Sequence, residues 1–140
     1  MNGFLLDTNV LSELIRPKPE PKVAAWVDSA NEDLLFLSVL TLGEIRKGIA
    51  ALRTGSRRAA LEAWLESDLR RRFAGRILPV DEDVAERWGT ITAIAAAAGK
   101  PVPVIDGLLA ATALRHNLTL VTRNVSDVAG TGVVVFSPWS

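Results

Sequence analysis

The 140-residue sequence predicts an α/β fold with a largely parallel central sheet. Three observations carry that prediction. Short apolar runs alternate with segments of helical periodicity. The runs are nearly continuous, as in strands covered by helices on both faces. No linker, repeat or low-complexity tract separates them, so a single domain over 1–140 is expected.

Taken in order, Gly3 to Leu6 reads as a buried strand that ends at Asp7. Asp7-Thr8-Asn9 fits a turn and cap. The proline-rich Arg16 to Pro21 reads as a rigid turn. Behind it Val23, Trp26, Val27 and Ala30 fall on one helical face. Leu34 to Leu37 is a second strand. A helix is expected from near Thr41, with Leu42, Ile45, Ile49 and Leu52 as its stripe and Glu44 in its first turn. Thr41 to Glu44 also fits a capping box, which gives Glu44 a purely structural alternative. Leu61, Trp64, Leu65 and Leu69 mark another helix after Ser56, and the two form a helical hairpin. Ile77 to Val80 is extended. Val84 to Ala98 is a long helix stopped by Gly99. Asp106 opens the next helix as its N-cap, and that helix runs to about His116, with Asn117 as a left-handed cap. Leu118 to Thr122 and Val133 to Phe136 are the last strands.

Composition narrows the chemistry. There is no Cys, so disulfides, zinc fingers, iron–sulfur clusters and thiol nucleophiles are excluded. The single His116, expected on the surface, leaves no His-rich metal site. The apolar start breaks at Asp7 and no apolar run is long enough to span a bilayer, so a cytoplasmic protein without membrane contact is expected. No G-x-G-x-x-G or Walker A motif supports a nucleotide site. Acid–base or metal chemistry is left to carboxylates.

The formal net charge is zero, but it is unevenly spread. Arg46 to Arg76 holds nine cations against three acids, a net +6 that the remainder balances. Such a stretch is either a solvated helical surface or an electrostatic contact for nucleic acid.

In a parallel sheet the ligand site lies beyond the carboxyl ends of the strands. Asp7 follows the first strand there, and Arg123 and Asn124 follow the strand at Leu120. Asp106 and Glu44 stand on helices that can bring them to the same cleft. Converging carboxylates repel unless a cation holds them, and hard oxygen donors suit Mg²⁺ or Mn²⁺. Asp127 reads as part of a solvated loop.

The segments Leu5 to Val10, Leu40 to Ile45 with Gly48, Asp106 with Ala110 to Ala113, and Val121 to Asn124 resemble the PIN-domain family. Their order and spacing are similar to those of VapC-like toxins, with the FitB-like branch nearest. Ala74 to Pro79 and the ending Phe136-Ser137-Pro138-Trp139 carry that last likeness. The resemblance covers the whole chain. It implies a three-layer PIN-like α/β/α fold with a protruding helical hairpin, and a metal-dependent endoribonuclease of a toxin–antitoxin pair. Asp7, Glu44, Asp106 and Asn124 map onto the catalytic positions. Asp7 and Asp106 would hold Mg²⁺ or Mn²⁺, and Thr8, Arg123 and Arg46 would meet substrate. Asn124 stands where many members carry Asp, which removes one charge and puts a second metal in doubt. The implied partners are RNA, a VapB-like antitoxin lying over the active-site groove, and a second copy of the chain. DNA would be met only through the antitoxin. Asn124 also keeps a binding-only, regulatory module in view. A phosphoacceptor role for Asp7 ranks lower, since Asn9 holds the position of a paired acid.

Overall fold

The computed structural model describes residues 2–140. Five short strands pair in parallel: Phe4–Leu6 (β1), Leu35–Ser38 (β2), Ile77–Leu78 (β3), Thr119–Val121 (β4) and Val135–Phe136 (β5). Their order is β3-β2-β1-β4-β5. Phe4 stands opposite Leu35 on one side and Thr119 on the other, so β1 is central. The chain fills one side of β1 first and then crosses to the other with β4. The strand order therefore reverses between β1 and β4, which opens a crevice at their carboxyl ends.

Two apolar cores lie on opposite faces of the sheet. Leu6, Leu35, Leu37 and Val121 face one; Leu5 and Leu120 face the other. That alternation within runs apolar on both faces is the signature expected from the sequence. The first core is closed by Thr8–Leu14 (α1), Pro21–Ser29 (α2), Val39–Ala50 (α3) and the hairpin partner Ser56–Ala63 (α4) with its continuation. The second is closed by Glu82–Ala97 (α6) and Val104–Arg115 (α7). Helix on sheet on helix is the three-layer arrangement expected.

Several local expectations are corrected. The α1 helix was not foreseen; its seven residues are too few for a periodic stripe, yet Val10 and Leu11 are buried and Asp7 caps it. The α3 helix starts at Val39, not near Thr41, because the Ser38 hydroxyl accepts the Leu40 N–H at 3.0 Å. Glu44 thus lies beyond the first turn, and no capping box forms. After α4 the helix widens into a π-helical turn, Trp64–Leu69, before Arg70–Arg72 (α5). Leu65, Leu69 and Phe73 are buried at spacings of four, which drift around an ordinary α-helix; the wider turn keeps them on one face. The hairpin is therefore anchored in the core at this end, while α4 itself buries no residue.

The α7 helix begins at Val104 behind Pro103, so Asp106 sits in its first turn and is not its cap. Asn117 does adopt the left-handed conformation, φ 56°. Gly107 permits close packing of α6 on α7: a Cβ there would lie 2.9 Å from Thr92 Cγ2. His116 is half-buried, and its Nε2 has no partner among the described residues. No helix among the described residues is long and apolar enough to cross a membrane.

Candidate active site at the carboxyl ends of β1 and β4

A cleft of about 390 Å³ opens at the crevice between β1 and β4. Asp7, Thr8, Glu44, Asp106, Arg123 and Asn124 all line it. The sheet end and the starts of two helices bring together residues separated by more than a hundred positions.

Asp7 is the most enclosed of them, at 5% exposure. Its Oδ1 accepts the Thr8 N–H at 2.7 Å and its Oδ2 accepts the Thr122 hydroxyl at 2.8 Å. Burial pushes its carboxyl above the ordinary value; the Thr122 and Thr8 hydrogen bonds oppose that, and Glu44 adds repulsion. Thr122 also accepts the Asn124 N–H at 3.0 Å, so one hydroxyl joins Asp7 to the loop after β4. Asn9 braces the same junction, donating to Thr122 at 3.3 Å and accepting the Arg123 N–H at 3.4 Å.

Glu44 is reached through Thr8, whose hydroxyl donates to Glu44 Oε1 at 2.6 Å. The shifted start of α3 matters here. With Ser38 as the cap, the Glu44 carboxylate is released from backbone capping and turns to the cleft. Thr41 is buried beside it, 3.4 Å from the Thr8 hydroxyl.

Asp106 accepts no hydrogen bond among the described residues. Its carboxyl is pushed up to about 6, first by burial and then by the negative charges of Asp7, Asp127 and Glu44. A carboxylate in the first turn of a helix is ordinarily favoured by the helix dipole. The upward shift therefore reflects burial of the carboxyl first, with the repulsion of Asp7, Asp127 and Glu44 added to it.

Among the described residues no three acidic or imidazole side chains form a ready-made metal-holding group. The donor set still fits a small hard cation, because Mg²⁺ is ordinarily held by one or two carboxylates and several waters. Asp7 and Asp106 supply such a pair, and a cation would relieve their mutual repulsion.

Arg46 is not brought to the cleft. It pairs with Glu66 at 2.9 Å and Glu62 at 3.8 Å on the helical hairpin. Arg72 and Arg76 are likewise occupied, both by Glu32. Lys47, Arg53, Arg57, Arg70 and Arg71 make no ion pair among the described residues, so the basic stretch keeps part of its free charge. Thr122, Asn9, Glu13 and Trp139 also meet at this cleft, and none of them stands out in the sequence as a site residue. A Thr at the end of β4 was the available signal for Thr122; the other three become visible only once the tail and α1 are placed.

The PIN domain family model matches residues 4–126. Toxin FitB of Neisseria gonorrhoeae is 44% identical over 136 residues, covering 97% of this chain and 98% of that protein. A VapC ribonuclease of Sinorhizobium fredii is 38% identical, covering 97% of each. A solved structure of FitAB bound to a DNA fragment superposes with a TM-score of 0.94 at 42% identity, covering 98% of this chain and 96% of that one. The fold, the cleft at the strand-order reversal and these matches agree: the chain belongs to the PIN-domain family.

Proposed function

We propose that the protein is a metal-dependent endoribonuclease, the toxin of a VapBC-like toxin–antitoxin pair, acting as one domain over the whole chain. The observation that carries this reading is the convergence of Asp7, Glu44 and Asp106 on one cleft, where burial first and the neighbouring negative charges second raise Asp106 to about 6. The relatives named VapC ribonuclease and Toxin FitB supply the substrate class and the biological setting.

Asp7 and Asp106 would hold Mg²⁺ or Mn²⁺. A bound cation of this kind offsets the charge of a phosphodiester and lowers the pKa of water. The chain's own groups do the positioning. Thr122 and the Thr8 N–H fix both oxygens of Asp7. Thr8 orients Glu44 as a proton acceptor at the cleft wall. Asn124 offers a neutral amide to a water or ribose hydroxyl. Arg123 offers a cation to a phosphate, and the unpaired hairpin cations offer salt-sensitive contact to the rest of the strand. Arg46, held by Glu66, contributes only if that exposed pair opens.

The antitoxin has a place to lie. A groove of about 240 Å³ shares Thr8, Ser12 and Glu44 with the cleft and continues over Ile45, Ile49, Leu61 and Trp64. An apolar segment seated there puts its neighbouring residues over the carboxylates. DNA contact would come through that partner, as the FitAB complex with DNA suggests by analogy. Exposed Val134 and Phe136 near edge strand β5 support a homodimer. Cytoplasmic residence accompanies this role.

Asn124 favours a second reading, a catalytically weak module that acts through its partner. Calorimetric titration of Mn²⁺ tests the first. Saturable binding lost in Asp7→Asn supports a metal-dependent enzyme; no binding by the wild type favours the module. A monomeric mass, unchanged when the antitoxin is added, contradicts the partner assignment in both.

A further inference from the structure

Arg123 is mounted on the C-terminal tail. Its guanidinium carbon lies 5.6 Å from the centre of the Trp139 ring. The Trp139 indole N–H donates to Glu13 Oε1 at 3.3 Å. Glu13 is 6% exposed and is itself fixed, accepting the Glu20 N–H at 3.1 Å and Arg16 at 3.3 Å. Pro138 is buried and Trp139 packs against the core that contains Leu6 and Val10. Contacts therefore run from the core through the indole to the guanidinium at the cleft.

Charge gives this mount a use. Asp7, Glu13, Glu44 and Asp106 line the cleft against two cations, Arg16 and Arg123. Arg16 is committed to Glu13. Arg123 has no carboxylate partner among the described residues. A free guanidinium on an exposed loop must be ordered when it grips an anion, which weakens binding. An aromatic face beneath it orders it beforehand while leaving its N–H donors open.

We propose that Trp139 is a positioning residue: anchored by Glu13, it presents the Arg123 guanidinium to a phosphate of the strand in the cleft. The identity of that strand as RNA rests on the ribonuclease reading; the Trp139–Arg123 mount does not.

Two measurements on the full-length protein test it. In ¹H–¹⁵N spectra of arginine side chains, the Arg123 Nε proton is expected to carry a ring-current shift. Trp139→Phe, which keeps an aromatic face but loses the N–H anchor, keeps part of it, and Trp139→Leu loses it; should the Leu variant fold poorly, Glu13→Gln, which keeps the indole but loosens its anchor, also reduces it. Binding of a short labelled single-stranded RNA in EDTA is expected to weaken about fivefold in Trp139→Leu, with partial rescue in Trp139→Phe. In an Arg123→Ala background, Trp139→Leu has no further effect. No ring-current shift in the folded wild type overturns the mount. Independent, multiplying effects of Trp139→Leu and Arg123→Ala overturn the positioning role. A wild type with the shift but no RNA binding overturns the phosphate role, while the ribonuclease reading is judged separately by cleavage with Mn²⁺.

Discussion

The Thr122 hydroxyl donates to Asp7 Oδ2 at 2.8 Å and ties the end of β4 to the end of β1 across 115 residues of sequence. It satisfies a buried carboxylate and sets which way that carboxylate faces. Thr122→Val keeps the shape and removes the donor. We expect a loss of about 1–3 kcal/mol in unfolding free energy at neutral pH, from an acceptor left unsatisfied. Urea titration followed by circular dichroism measures it. A loss within error shows that water replaces the hydroxyl.

The Thr8–Glu44 contact is the next link. Thr8→Val removes the donor that orients Glu44, and activity on RNA is expected to fall about tenfold, as for other groups that orient a site residue. Steady-state kinetics with a fluorogenic RNA checks it. Full activity in Thr8→Val removes Glu44 orientation from the account.

Asp106 makes a pH prediction. Its folded pKa, about 6, lies above the ordinary 3.8, so the folded state holds its proton more tightly than the unfolded chain. Ionisation then costs stability, and the cost appears as pH rises from about 4 to above 6. In EDTA, Asp106→Asn is expected to stabilise the protein at pH 7.5 by about 1 kcal/mol after allowance for solvent screening, and by little at pH 4. Unfolding at the two pH values decides it. Equal effects at both separate the stabilisation from charge.

The basic stretch divides into two roles. Arg76 donates at 2.6 Å to the carbonyls of Glu32 and Leu35, and its side chain is 16% exposed. Arg76→Ala is expected to cost about 1.5–3 kcal/mol in thermal or urea unfolding. Arg70→Gln and Arg71→Gln are expected to leave stability within about 0.5 kcal/mol. Each should instead lower the salt slope of RNA binding by about one. An unchanged slope in both takes RNA off this surface.

The sheet was legible because its strands are short apolar runs and Asp7, Asn124 and Arg123 directly follow two of them. Asp7 stood out as a candidate for the same reason, whereas Glu44 and Asp106 stand on helices and reach the cleft only through the fold. The start of α3 was not, since Ser38 and Thr41 are equally good caps in sequence and only packing decides between them. Asp106 read as a cap because its first-turn position and an N-cap position differ by three residues, which no local pattern resolves. Arg46 looked available because its partner Glu66 lies twenty residues away on the other arm of the hairpin. Thr122, Glu13 and Trp139 needed the tertiary fold: each acts on a residue more than a hundred positions distant.

RNA cleavage in this cleft is proposed to need a divalent cation, which Asp7 and Asp106 would hold. Incubation of purified protein with RNA and Mn²⁺, then with excess EDTA, tests it most directly, with Asp7→Asn and Asp106→Asn beside the wild type. The expected result is cleavage by the wild type that EDTA abolishes and that both variants lack while remaining folded. Cleavage that persists in EDTA or in either variant contradicts it.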